Sequence, residues 1–149
     1  MNPMRQLGHL SRRFFGSLSR REPSAADVSW ACSQLLAGEV ALWQQMPLQD
    51  RRHSIVVARR FAAPVTDATR AEIAGALLHD VGKTQSGLGT FGRVVATLIG
   101  PRTTRFRRYH DHEVLGIAML RAAGSDAETL ALLEGSGRAV HALRRADAI

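Results

Sequence analysis

A chain of 149 residues and 16.3 kDa has the length of one ordinary domain. Its apolar fraction of 45% and charged fraction of 22% are typical of a globular protein and exclude a disordered chain. The single cysteine, Cys32, excludes an internal disulfide framework and any zinc site that needs several thiolates. No apolar run approaches the roughly 20 residues that span a bilayer, and no secretory signal is recognisable, so we expect a cytoplasmic protein without a transmembrane segment.

The chain is strongly basic, with a formal net charge of +7 from 20 basic and 13 acidic residues. This surplus favours anionic partners, which include phosphorylated substrates, nucleic acid and acidic lipid. An aromatic fraction of 5% argues against a stacking platform for single-stranded nucleic acid, and no nucleic-acid recognition motif is present. Nucleic-acid binding is therefore an open alternative that the sequence does not favour.

The hydrophobic pattern predicts an all-α fold, because apolar residues recur at a helical period and no stretch alternates as a strand does. We expect a compact bundle of about seven to nine helices. Residues 1–47 are interpreted as an N-terminal helical extension packed on a core domain that spans 48–149. A basic amphipathic segment over 3–20 opens the extension, and binding to a membrane surface is its alternative role.

Capping and breaking residues predict where the helices begin and end. Ser24 caps a predicted helix to Leu36, which Gly38 ends. A short helix follows over 40–46 and stops before Pro47. Further helices are predicted over 48–61, 67–80, 94–99 and 111–123, from a cap at Ser125 to Leu133, and over 138–149.

Histidine and aspartate side chains fall on the inward faces of separate predicted helices. His53 shares a stripe with apolar residues at i+3, i+4 and i+8, and Asp147 shares one with apolar residues at i−4 and i−7. His79 and Asp80 are adjacent at a predicted helix end, where both can reach one ion lying beyond that end. A buried carboxylate is costly unless it is paired or bound to a metal. A divalent cation would account for the whole set. Taken singly, each histidine could instead be a hydrogen-bonded core residue, and an aspartate near a helix C-terminus could be solvated.

The run Ala76–Lys83, ALLHDVGK, resembles the signature of HD-domain metal-dependent phosphohydrolases, an all-α family named after its adjacent His-Asp pair. The segment that begins at His112, in which a His precedes a Gly by four residues, is similar to a second motif of that family. The resemblance covers roughly residues 48–149. It implies that the metal ligands are His53, His79, Asp80 and Asp147.

The resemblance also implies an activity, which is hydrolysis of a phosphate mono- or diester, such as a nucleotide, by a metal-activated water. Asp80 would then be both a ligand and the group that orients the attacking water. Lys83, the only lysine, would hold a phosphate, and its alternative role is to complement a helix C-terminus. Imidazole and carboxylate ligands suit ions of Mn, Fe, Ni, Co, Zn and Mg. Because the set contains no thiolate, the ligand types do not determine which of these metals binds.

Further candidates surround this set. Glu134 stands where two-metal members of the family carry another histidine, so a second ion held by His112 and Glu134 and the absence of a second ion both stay open. His110 and His141 are further candidates for contact with a metal. Arginine binds phosphate oxygens through its planar guanidinium, although a solvated charged loop is the alternative for each arginine. The candidates for substrate phosphate are Arg52, Lys83, Arg105 and Arg108.

The sequence at Glu134 and Gly135 differs from the pattern of two-metal members of the family and therefore suggests an alternative function. It is typical of a catalytically degenerate HD module, which would act as a metal- or nucleotide-binding regulatory or interaction protein. Turnover of a phosphate ester separates the two interpretations, because the degenerate module binds a metal without hydrolysing anything.

Overall fold

The structure, a computed structural model, describes residues 21–82 and 107–148, and of 107–113 it describes the backbone alone. The described residues form seven helices and no strand, which confirms the all-α prediction. None of these helices combines the length and the apolarity that crossing a bilayer requires. The segments predicted as helices over 3–20 and 94–99 lie outside the described residues. The helices are α1 (Ala25–Ser33), α2 (Ala37–Gln45), α3 (Leu48–Ala62), α4 (Arg70–Leu78), α5 (Arg107–Ala122), α6 (Ala127–Glu134) and α7 (Val140–Asp147).

The boundary between α1 and α2 differs from the prediction. α1 already ends at Ser33, and Gly38 lies in the first turn of α2 instead of ending α1. The new helix starts early because Glu39 Oε2 accepts a hydrogen bond of 2.8 Å from the Leu36 N–H, which the helix itself leaves unpaired. A Cβ atom on Gly38 would lie 2.3 Å from the carbonyl oxygen of Ala123. The glycine therefore allows α2 to approach the end of α5 closely.

Caps explain the starts of α1 and α4. Ser24 is the N-cap of α1, as predicted. α4 begins at Arg70, later than the expected Asp67, because Thr69 and Glu72 form a capping box at its start. Thr69 Oγ1 accepts from the N–H of Glu72, and a carboxylate oxygen of Glu72 accepts from the N–H of Thr69, both at 3.1 Å.

The last two helices also begin later than predicted. Asp126, and not Ser125, is the N-cap of α6. The Ser125 N–H donates instead to the carbonyl of Leu120 at 3.0 Å, which makes this residue part of the end of α5. α7 covers only Val140–Asp147, since residues 137–139 precede it as a turn.

α4 occupies the centre of the bundle, where it packs against α3 and α6, and α3 also packs against α7. Leu77 of α4 and Phe61 of α3 are fully buried in one hydrophobic core. Trp43 of α2 is buried in the same core, so this part of the predicted extension packs on the predicted core domain; the boundary after residue 47 stays a prediction. On α3, Val57 is buried as expected from the stripe that contains His53, whereas Val56 is 44% exposed at its edge.

Candidate metal centre

His53, His79 and Asp147 come together from three helices although they are far apart in the sequence. His53 lies in the second turn of α3, His79 is the C-cap residue of α4, and Asp147 is the last residue of α7. The three side chains meet because α3 packs against both α4 and α7. Each offers one ligand atom, and these three atoms all lie within 4.8 Å of one another.

The spacing of the ligand atoms fits a single ion. His53 Nε2 lies 3.1 Å from Asp147 Oδ1, and His79 Nε2 lies 3.3 Å from the same oxygen. Two ligands that each bind an ion at about 2.1 Å lie about 3.0–3.4 Å apart when they are neighbours in a tetrahedron or octahedron. Both contacts therefore have the length of an edge of a coordination polyhedron.

The hydrogen bonding of His79 leaves its other ring nitrogen as a ligand atom. His79 Nδ1 lies 2.8 Å from the carbonyl oxygen of Ala76, which can only accept, so Nδ1 carries the hydrogen. Nε2 is buried and has no hydrogen-bond partner, although Asp147 Oδ1 and Asp80 Oδ2 lie 3.3 and 3.4 Å away. A lone pair facing two carboxylate oxygens is repulsive unless a proton or a cation lies between them. A backbone carbonyl that fixes a histidine in this way is a usual neighbour of a metal-binding imidazole.

The pKa shifts show that the cluster favours a positive charge at its centre. Burial lowers the pKa of His79, but the carboxylates of Asp147 and Asp80 outweigh it and raise the pKa above its ordinary value of 6.5. The hydrogen bond to His53 and the imidazole of His79, 3.3 Å away, hold the pKa of the Asp147 carboxyl far below its usual range, against the opposing effect of burial. Asp147 is therefore ionised throughout the neutral range, and it keeps a charge that a metal would neutralise.

Asp80, the fourth predicted ligand, adjoins this cluster without being a member of it. Its Oδ2 lies 3.4 Å from His79 Nε2, and its side chain is mostly buried. The group of three mutually close ligand atoms includes Asp147 and both histidines but not Asp80. In this conformation the Asp80 carboxylate is thus beside the space that an ion would occupy.

Glu134 and Arg52 do not join the cluster. Glu134 lines the same cavity as His79, but its Oε1 lies 2.5 Å from Nη2 of Arg121 and is taken up by that ion pair. Arg52 borders a separate surface hollow beside Ser24.

The other candidates lie on the surface of α7 or outside what is described. His141 is exposed on α7 and does not belong to the group of ligand atoms. Lys83 and Arg105 lie outside the described residues. The side chains of Arg108, His110 and His112 do as well, although the backbone at these three positions belongs to α5.

A cavity of about 320 Å³ opens beside the ligand atoms. His79, Asp80 and Asp147 line this cavity, and Arg144 lies in its wall as well. Arg144 was not among the predicted site residues, although its position three residues before Asp147 places both side chains on one face of α7. The arrangement can hold a divalent cation on three protein ligands, with a remaining side that faces the cavity. No protein-family model, curated protein or solved structure matches this chain.

Proposed function

We propose that the protein is a metal-dependent phosphohydrolase of the HD type, acting on a phosphate mono- or diester. One observation carries the proposal: the buried Nε2 of His79 has no hydrogen-bond partner and faces the carboxylates of Asp147 and Asp80. His53 Nε2 completes the set from a third helix. The spacing of these atoms and the need for a positive charge between them support a divalent cation. The ALLHDVGK motif supports the class of reaction.

In this proposal, different residues would hold the ion, orient the attacking water and receive the substrate. His53, His79 and Asp147 would hold the ion. A bound divalent ion lowers the pKa of a coordinated water towards neutrality and stabilises charge on the phosphoryl oxygens. Asp80, whose carboxylate adjoins the ligand set, would accept a hydrogen bond from the attacking water and so orient it towards phosphorus. The cavity beside the cluster would receive the ester.

Metal binding and turnover test this proposal together. We expect Mn²⁺, Co²⁺ or Ni²⁺ added to chelator-treated protein to raise its melting temperature, because an ion that binds only the folded state stabilises it by about 2.7 kcal/mol at a hundredfold excess over Kd. The loaded protein should hydrolyse p-nitrophenyl phosphate, and chelator should stop the reaction. Metal binding without hydrolysis across a broad panel of phosphate esters would instead favour the degenerate regulatory module. Absence of both effects with every metal would rule out the site.

Metal affinity should also depend on pH in a defined direction. The raised pKa of His79 means that a proton occupies Nε2 in the metal-free protein until the pH exceeds that pKa, so proton and metal compete for one atom. We expect the affinity for Mn²⁺ to increase about tenfold per pH unit below the pKa of His79 and to level off above it. Asp147, whose pKa is lowered, stays ionised and adds no dependence. Calorimetric titration from about pH 5 to about pH 8 measures this, and a constant affinity would contradict a role for His79 Nε2 as a ligand.

A further inference from the structure

Arg144 is the basic side chain of the cavity beside the candidate metal centre. Among the described residues that line the cavity, it is the only arginine or lysine. It lies one helical turn before Asp147 on α7, and residues three apart on a helix have their Cβ atoms about 5–6 Å apart. Its guanidinium is therefore on the same side of α7 as the ligand Asp147.

The Arg144 guanidinium has no partner among the described residues, whereas the carboxylate of Glu134 on the same cavity wall already has one. No hydrogen bond or ion pair within the described ranges engages the side chain of Arg144. Glu134, which faces the same cavity, is paired with Arg121 instead. Nη2 of Arg144 would lie 3.8 Å from a Cβ atom on Gly135, which places the guanidinium beside the end of α6.

Apart from Glu134, the other residues of the cavity wall are apolar. Aliphatic side chains of α4, α5, α6 and α7, together with Val81 just after α4, contribute to this lining. A ligand that filled the cavity would thus need an anionic group for Arg144 and an apolar body for the aliphatic wall. The aliphatic residues are Leu78, Val81, Ile117, Leu132, Leu133, Val140 and Leu143.

We infer that Arg144 binds the phosphate group of the substrate, and that the substrate is a phosphate ester whose alcohol part is apolar. This inference rests on the proposed function, since it places the ester beside the ion. Two acidic residues of the set, Asp80 and Asp147, balance the charge of a divalent ion, so the negative charge of the phosphate needs a further cation. Arg144 supplies that charge, and its planar guanidinium can bind two phosphate oxygens at once.

Arg145 provides a matched control for this inference. It is the next residue on α7, it is also exposed, and its side chain likewise has no partner among the described residues, but it does not line the cavity. We expect Arg144→Ala to weaken binding of phenylphosphonate about tenfold and to raise KM for p-nitrophenyl phosphate by a similar factor, with a smaller effect on kcat. Arg145→Ala should change neither quantity. Equal effects of the two variants would mean that Arg144 contributes only to the overall positive charge of the surface, and would overturn the inference.

Direct binding keeps this test separate from that of the proposed function. Calorimetry with phenylphosphonate needs no turnover, so a protein without hydrolytic activity still reports on Arg144. If Arg144 only complements the C-terminus of α6, the alanine variant changes the melting temperature and leaves phenylphosphonate affinity unchanged. The apolar wall predicts that phenylphosphonate binds at least about tenfold more tightly than methylphosphonate. Equal affinities, or no binding of either compound to the unaltered protein, would overturn the inference.

Discussion

Replacing His79 with alanine should abolish metal-dependent hydrolysis and weaken metal binding by at least about a hundredfold. Loss of a group that only supports a ligand typically costs metal sites about 10–100-fold, and His79 supplies a ligand atom itself. The substitution removes the nitrogen that faces both carboxylates, and it leaves Asp147 with His53 as its histidine partner. Titration calorimetry with Mn²⁺ and hydrolysis of p-nitrophenyl phosphate measure the two losses.

The control for this experiment is His141→Ala. His141 lies on α7 like Asp147, but its side chain is exposed and it is not in the group of ligand atoms. It should retain metal affinity and turnover. Because His79 is nearly buried, Asp147→Asn serves as a second variant that keeps the volume of the side chain while removing its charge. Circular dichroism shows whether each variant is folded. A folded His79→Ala or Asp147→Asn protein with unaltered metal affinity would exclude the proposed centre.

Replacing Gly38 with alanine should lower the free energy of unfolding by about 3 kcal/mol. A Cβ atom at this position would lie 2.3 Å from the carbonyl oxygen of Ala123, a backbone atom that cannot move without shifting the end of α5. The expected sign is informative because alanine normally stabilises a helix relative to glycine, by roughly 0.5–1 kcal/mol. A loss of stability would therefore mean that the overlap of the new Cβ atom with the Ala123 carbonyl costs more free energy than the higher helix propensity of alanine contributes. Urea unfolding followed by circular dichroism gives the difference.

Gln44→Ala is the matched control, since it introduces the same residue on an exposed face of α2. Its free energy of unfolding should stay within about 0.5 kcal/mol of that of the unaltered protein. A Gly38→Ala variant as stable as the Gln44→Ala variant would show that α2 and α5 are not in close contact at this point.

Much of the helical architecture could be predicted because its determinants are local. α3 was predicted over 48–61 and found over Leu48–Ala62, because its apolar residues recur within a few positions and Pro64 follows. The predictions failed where two signals competed. Gly38 has the chemistry of a helix terminator, but the carboxylate of Glu39 caps α2 before it. Ser125 has the chemistry of an N-cap, but its N–H already completes the end of α5.

The candidate site follows the same division. Helical periodicity and the HD motif were sufficient to nominate His53, His79 and Asp147, since the direction of a side chain depends on its place in its own helix. They could not show that Asp80 lies beside the cluster, that Glu134 forms an ion pair with Arg121, or that Arg144 lines the cavity. Those facts concern residues on different elements or the shape of the space between them.

The sequence by itself determined that this chain is helical, basic and equipped with imidazole and carboxylate groups on apolar helix faces. Only the tertiary structure decided which of these groups share an ion-sized space. The reason is that the distance between ligand atoms depends on how α3 lies across α4 and α7, and helix crossings are set by interlocking side chains remote from the site. Close packing also sets the approach of α4 to α6, where a Cβ atom on Gly75 would lie 2.9 Å from the side chain of Leu132.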